Sequence, residues 1–212
     1  MNIKVCGITS SKQLNQLNSL KVDYVGLNFY KESPRYMGNS ITPDELDNED
    51  FDIKKVAVFV DEDLETVKKI VDNYHIDLIQ LHGNESAAYC KKLNDFIEVI
   101  KVVHVKNDIV ELLDAVEQYD DCCDYYLFDS ITEKQKGGTG KKFDWNLLHE
   151  INIEKPFFLS GGISVEDIEP LLQFNHPDLM AIDINSQFEV VPGEKDMSLV
   201  LKFVHALKYK NN

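Results

Sequence analysis

Phe157-Phe158-Leu159-Ser160-Gly161-Gly162-Ile163-Ser164-Val165-Glu166-Asp167 holds a complete structural unit in one short stretch. An apolar run as brief as Phe157–Ser160 suits a parallel strand covered on both faces. The glycine pair stops it. Ser164, followed by Val165-Glu166-Asp167, then reads as an N-cap with acidic residues in the first helical turn. Strand, glycine turn and helix start together make one βα unit.

Outward from that stretch the same unit recurs along the chain. Further strand candidates are Ile3–Cys6, Tyr24–Phe29, Val56–Val60, Leu78–His82, Val99–His104, Tyr125–Asp129 and Leu179–Asn185. Helical patterns lie between them. Leu64, Val67, Ile70 and Val71 share one helical face, and Asp108–Tyr119 and Ser198–Leu207 read similarly. Thr42–Asp52 is acidic and poorly periodic, so it carries the weakest helical pattern. No Gly-x-Gly-x-x-Gly follows the first strand, which argues against a dinucleotide-binding open sheet. Eight short βα pairs without a composition break predict an α/β fold: a single (β/α)8 TIM barrel spanning residues 1–212.

Composition agrees with one globular core. Of 212 residues, 43% are hydrophobic and 28% charged, and no run approaches a membrane span. The formal charge of −15 repels nucleic acid and anionic membrane, so neither is expected as a partner. The same charge repels an anionic substrate, so a phosphate has to be gripped by local groups. The N-terminus enters a strand-like run at once, without a signal peptide. Cys6, Cys90, Cys122 and Cys123 have neither zinc spacing nor a disulfide framework, which points to a reducing cytoplasm.

In a barrel, chemistry collects at the C-terminal strand ends. Those ends read Cys6-Gly7, Phe29 with Ser33-Pro34-Arg35, His82-Gly83, Asp129, Gly161-Gly162, and Asp183 with Ser186, while the strand interiors look apolar. Gly161-Gly162 lets a ligand approach the backbone, and the helix start behind it offers N–H groups; alone it is equally a plain tight turn. Asp129 is a candidate general acid through desolvation at the mouth, or else a structural cap. Cys6 is a candidate thiolate base, against the ordinary role of a small buried residue. His82 is a wall residue, a base or a ligand; His104 shows no obvious partner, and no ligand-like pairing with a carboxylate is visible in the sequence. Arg35 suits bidentate carboxylate recognition or a solvated surface. Gly137-Gly138-Thr139-Gly140, flanked by Lys134, Lys136, Lys141 and Lys142, suggests a lid over an anion.

Taken in order, these segments resemble the phosphoribosylanthranilate isomerase family of tryptophan biosynthesis. The resemblance rests on KVCGIT at Lys4–Thr9, GLNFYKESPRY at Gly26–Tyr36, VAVFV at Val56–Val60, LIQLHG at Leu78–Gly83, LFD at Leu127–Asp129, GGTGKKFDW at Gly137–Trp145, LSGGI at Leu159–Ile163 and PGEKD at Pro192–Asp196. It implies an Amadori rearrangement without metal or organic cofactor. Asp129 would be the general acid and Cys6 the general base. Arg35 would hold the anthranilate carboxylate. Gly161, Gly162 and Ser186 would hold the phosphate; His82 and Asp183, from their strand-end positions, are further substrate-binding candidates. Ser186 and Glu189 fit the family's Ser-Ser-Gly-Val-Glu, whereas Asn185 and Gln187 depart from it, which puts the detailed phosphate contacts of that loop, though not the site, in question. The partner implied is a phosphorylated small molecule, bound by a monomer or homodimer. Other phosphosugar barrels want metal-binding histidines and carboxylates or catalytic lysines at strand ends, and a catalytically dead barrel would not need both Cys6 and Asp129.

Overall fold

A computed structural model of the chain describes residues 1–38, 40–46, 52–106, 108–130 and 142–209. Eight parallel strands close into a barrel in sequence order. They are β1 (Asn2–Cys6), β2 (Tyr24–Asn28), β3 (Lys54–Phe59), β4 (Leu78–Leu81), β5 (Glu98–Val105), β6 (Tyr125–Ser130), β7 (Phe157–Leu159) and β8 (Leu179–Ile184). Closure is direct: β1 pairs with β2 on one side and with β8 on the other, Asn2 opposite Ala181 and Val5 opposite Ile184.

The helices follow their caps. Ser10 caps α1 (Ser11–Ser19) by accepting from Gln13 N. Pro43–Leu46 forms α2, a single turn; the rest of the acidic segment after Leu46, up to residue 51, lies outside the described residues. Asp63 caps α3 (Leu64–Tyr74), Ser86 caps α4 (Ala87–Asn94) and Asp108 caps α5 (Ile109–Tyr119). Each cap oxygen satisfies N–H groups that a helix start otherwise leaves unpaired. After β6 the described residues hold only a 3₁₀ turn, Trp145–His149. After β7 a 3₁₀ turn at Val165–Asp167 leads into α6 (Ile168–Gln173). A small hairpin, β9 (Glu189–Val191) and β10 (Glu194–Lys195), precedes α7 (Met197–Tyr209).

Two apolar clusters build the core. One lies between strands and helices and includes Leu14, Val67, Leu93, Leu112, Leu171 and Phe203. The other fills the barrel with Tyr24, Val56, Leu78, Ile100, Val102, Leu127, Phe158 and Ala181. Because side chains alternate along a strand, the residues two positions further on face the same interior. Read upward, the inward series change character: Leu78 gives way to Gln80 and His82, Leu127 to Asp129, Phe158 to Ser160, and Ala181 to Asp183. The barrel is therefore apolar below and polar towards its mouth. Strand interiors are thus less apolar than the sequence suggests, since Lys4, Gln80 and Asp183 are all buried inside. They are tolerated because each is paired.

Candidate active site

One side of the mouth is built around Cys6. Lys4, fully buried two residues below it on β1, donates to Asp183 Oδ1 at 2.9 Å and to Gln80 Oε1 at 2.8 Å. Asp183 Oδ2 accepts from Ser160 Oγ at 3.2 Å. Both oxygens of Asp183 are therefore engaged within the protein, and its structural partner is Lys4. Burial pushes the Cys6 thiol above its ordinary range, with the Lys4 and Lys195 ammonium groups opposing the shift. The resting residue is a thiol, in place of the free thiolate that a polar mouth suggests. Despite the burial of its side chain, Lys4 is held above its usual range by Asp183 and Cys6 and stays charged. Gly26, opposite Cys6 on β2, makes room for the sulfur: a Cβ there would lie 2.5 Å from Sγ and 2.9 Å from the Cys6 Cα.

Across the mouth, Asp129 keeps 23% side-chain exposure. His82 Nε2 lies 3.5 Å from Asp129 Oδ2, and the rings of His82 and His104 are 5.3 Å apart. Here the structure departs from the sequence reading, which leaves His104 without a partner and finds no histidine pair near a carboxylate. His82, His104 and Asp129 follow on three neighbouring strands, and His104 sits directly opposite Asp129 in the β5–β6 register. Among the described residues their ligand atoms form a group within 4.8 Å of one another, the types a transition metal would use. Partial burial, and then the neighbouring His82, hold the His104 imidazole below the usual histidine range.

A third cluster stands behind the loop after β2. Arg35 donates from Nε and Nη2 to Glu189 at 2.9 and 2.6 Å, and Lys195 Nζ reaches Glu189 Oε1 at 2.7 Å. Although burial works against it, the hydrogen bonds from Arg35 and Lys195 keep the Glu189 carboxyl below its ordinary range. Two cations share one carboxylate, so the cluster carries local positive charge in a chain whose formal charge is −15. The sequence reading gives a binding role to Arg35 alone; Glu189 and Lys195 fall within family-like segments, but the contacts of Glu189 with Arg35 and Lys195 escape a reading of strand ends. Lys195 Nζ also holds Asn185 Oδ1 at 2.8 Å. The departure at Asn185 thus has a structural use.

Gly161 and Gly162 both take positive φ, +97° and +68°. At Gly161 the glycine is required, since a Cβ would run into Ser130 N at 2.5 Å. The helix start behind them differs from expectation. Its N–H groups are partly taken by its own capping box: Ser164 N donates to Asp167 Oδ2 at 2.7 Å and Glu166 N to Ser164 Oγ at 3.3 Å. The backbone of the glycine turn and the exposed loop at Ser186 are left as the groups open to a ligand on this side. Lys142 is tied to Asp167. The glycine-rich segment 137–140, with Lys134, Lys136 and Lys141, lies outside the described residues.

The fold and these strand-end groups define a class: a (β/α)8-barrel enzyme whose polar side chains gather at the C-terminal mouth of the barrel. The family described as N-(5'phosphoribosyl)anthranilate (PRA) isomerase matches residues 3–206. A Parabacteroides distasonis N-(5'-phosphoribosyl)anthranilate isomerase is 36% identical over 98% of this chain and 93% of its own length. The crystal structure of phosphoribosyl anthranilate isomerase from Thermotoga maritima superposes with a TM-score of 0.81 at 29% identity, covering 98% of each chain. An isomerase in complex with reduced 1-(o-carboxyphenylamino)-1-deoxyribulose 5-phosphate gives a TM-score of 0.79 at 27% identity, again covering 98% of each chain. The chain belongs to the phosphoribosylanthranilate isomerase family and is an isomerase.

Proposed function

We propose that the chain converts N-(5'-phosphoribosyl)anthranilate to 1-(2-carboxyphenylamino)-1-deoxyribulose 5-phosphate, a step of tryptophan biosynthesis, with Asp129 as general acid and Cys6 as general base. The observation that carries the assignment is the placement of the two groups. They end strands β1 and β6, on well-separated parts of the barrel mouth, where a substrate lying across it meets both.

Asp129 gives its proton to the furanose ring oxygen as the C1–O bond breaks, leaving an open-chain iminium. Cys6, ionised, takes the proton from C2; the C2–H electrons form the C1=C2 bond and neutralise the iminium nitrogen. The resulting enolamine loses its C2 hydroxyl proton and gains one at C1, giving the ketone. Such positioned proton transfers contribute roughly 10²–10⁴-fold each. Lys4 offsets part of the charge that develops as the buried thiol ionises. His82 supports the Asp129 carboxylate left after the first transfer. Arg35, aimed by Glu189, receives the anthranilate carboxylate, and Gly161, Gly162 and Ser186 receive the phosphate. Asp183 acts through Lys4. The reaction runs in the cytoplasm and uses neither metal nor organic cofactor.

Purified protein should consume the fluorescence of phosphoribosylanthranilate at an undiminished rate in EDTA. Absence of turnover at saturating substrate would overturn the assignment.

A further inference from the structure

Gln80 is buried on β4, two residues below His82, and neither composition nor the acid–base pair accounts for it. Its two ends are distinguishable by their neighbours. Lys4 Nζ, 2.8 Å away, can only donate, so the amide oxygen faces Lys4. The amide nitrogen then faces His82 Nδ1 at 2.9 Å. A side-chain NH₂ has no acceptor capacity, so Nδ1 must be the bare nitrogen of the ring. The ring proton is left on Nε2, the atom 3.5 Å from Asp129 Oδ2.

We propose that Gln80 is a positioning residue that locks the tautomer of His82, keeping Nε2–H aimed at Asp129. The direction is inherited from Lys4, whose place is set by Asp183. One directed chain therefore runs from the ammonium beside Cys6 to the imidazole that faces Asp129. With Nε2–H facing one carboxyl oxygen at 3.5 Å, the other oxygen is free to carry and deliver the proton, and the carboxylate left behind faces a donor. The kinetic part rests on the general-acid reading of Asp129; the tautomer itself does not.

The same lock decides what the cluster of His82, His104 and Asp129 can bind. A metal on His82 Nε2 needs that nitrogen bare, with the proton moved to Nδ1 and donated to an acceptor. The Gln80 nitrogen cannot accept, and turning the amide would set its NH₂ against the Lys4 ammonium. The native sequence thus disfavours a metal where the ligand types alone would invite one.

Long-range ¹H–¹⁵N spectra of histidine-labelled protein, taken without substrate, test this on the native chain. The expected result is His82 protonated at Nε2 and bare at Nδ1. Protonation at Nδ1 in the neutral ring would overturn the proposal. Gln80→Glu then reverses the lock while still giving Lys4 an acceptor. In that variant His82 should carry a proton on Nδ1, and Zn²⁺ should perturb the His82 and His104 resonances at concentrations that leave the native spectrum unchanged. An unchanged tautomer in the folded variant, or Zn²⁺ capture by native His82, would also overturn it. Gln80→Glu should lower kcat by about 10–100-fold with little change in KM. Normal turnover by Asp129→Ala would remove the acid role of Asp129 and leave the tautomer result standing.

Discussion

The two halves of the mouth solve opposite electrostatic problems. Cys6 is 6% exposed and lies beside a fully buried ammonium, whereas Asp129 keeps 23% side-chain exposure and faces histidines. A base in a dry pocket gains strength once ionised but is seldom ionised, and it depends on a nearby cation. An acid at a wetter edge needs only a donor to stabilise the carboxylate it becomes. Burial therefore dominates the surroundings of one half, and a more exposed edge with facing histidines those of the other.

The largest expected effect comes from removing the cation under the proposed base. Lys4→Met leaves Asp183 buried against Ser160 alone, and such a broken buried pair costs about 3–5 kcal/mol of stability. Thermal unfolding and the pH profile check it together. The thiol, already pushed up, should rise further, so the ascending limb of kcat/KM should move to higher pH. Gly26→Ala comes next. Its Cβ would displace the Cys6 sulfur, and a misplacement near 1 Å in such a site costs about 10²-fold in kcat. Steady-state kinetics should show that loss, with the fold retained by circular dichroism. Arg35→Ala should mainly raise KM, by about 10–100-fold, from loss of one charge-assisted contact; an unchanged KM would remove the anthranilate contact from Arg35. The smallest effect needs no mutation. Because the proposed base, Cys6, acts only when ionised and burial raises its pKa, kcat/KM should still be climbing as pH passes above neutral. A profile falling across that range would reverse the assignment of Cys6.

All eight strands are legible in the sequence because short apolar runs between glycines and caps leave few alternatives. The helical side is less so. Residues 142–156, between the described end of the long segment after β6 and the start of β7, hold a 3₁₀ turn rather than a helix, and nothing in their composition announces that. The β9–β10 hairpin, which brings Glu189 and Lys195 to Arg35, escapes pattern reading because its strands are only three and two residues long. Cys6, Asp129 and the glycine pair stand out as strand ends. Lys4 and Gln80 do not, and neither does the pairing of Asp183 with Lys4, because these residues meet inside the barrel from strands far apart in sequence. A signal is present all the same: the residue two positions before Cys6 is Lys4, and the one two positions before His82 is Gln80. His82, His104 and Asp129 likewise end three consecutive strands, which any closed barrel brings together.

The division of labour between the two halves is tested most directly by kcat for Cys6→Ala and Asp129→Ala, measured at saturating substrate alongside thermal unfolding. Each substitution should lower kcat by about 10²–10⁴-fold while the barrel still melts cooperatively. Near-native kcat in either folded variant would contradict the acid or base role assigned to that residue.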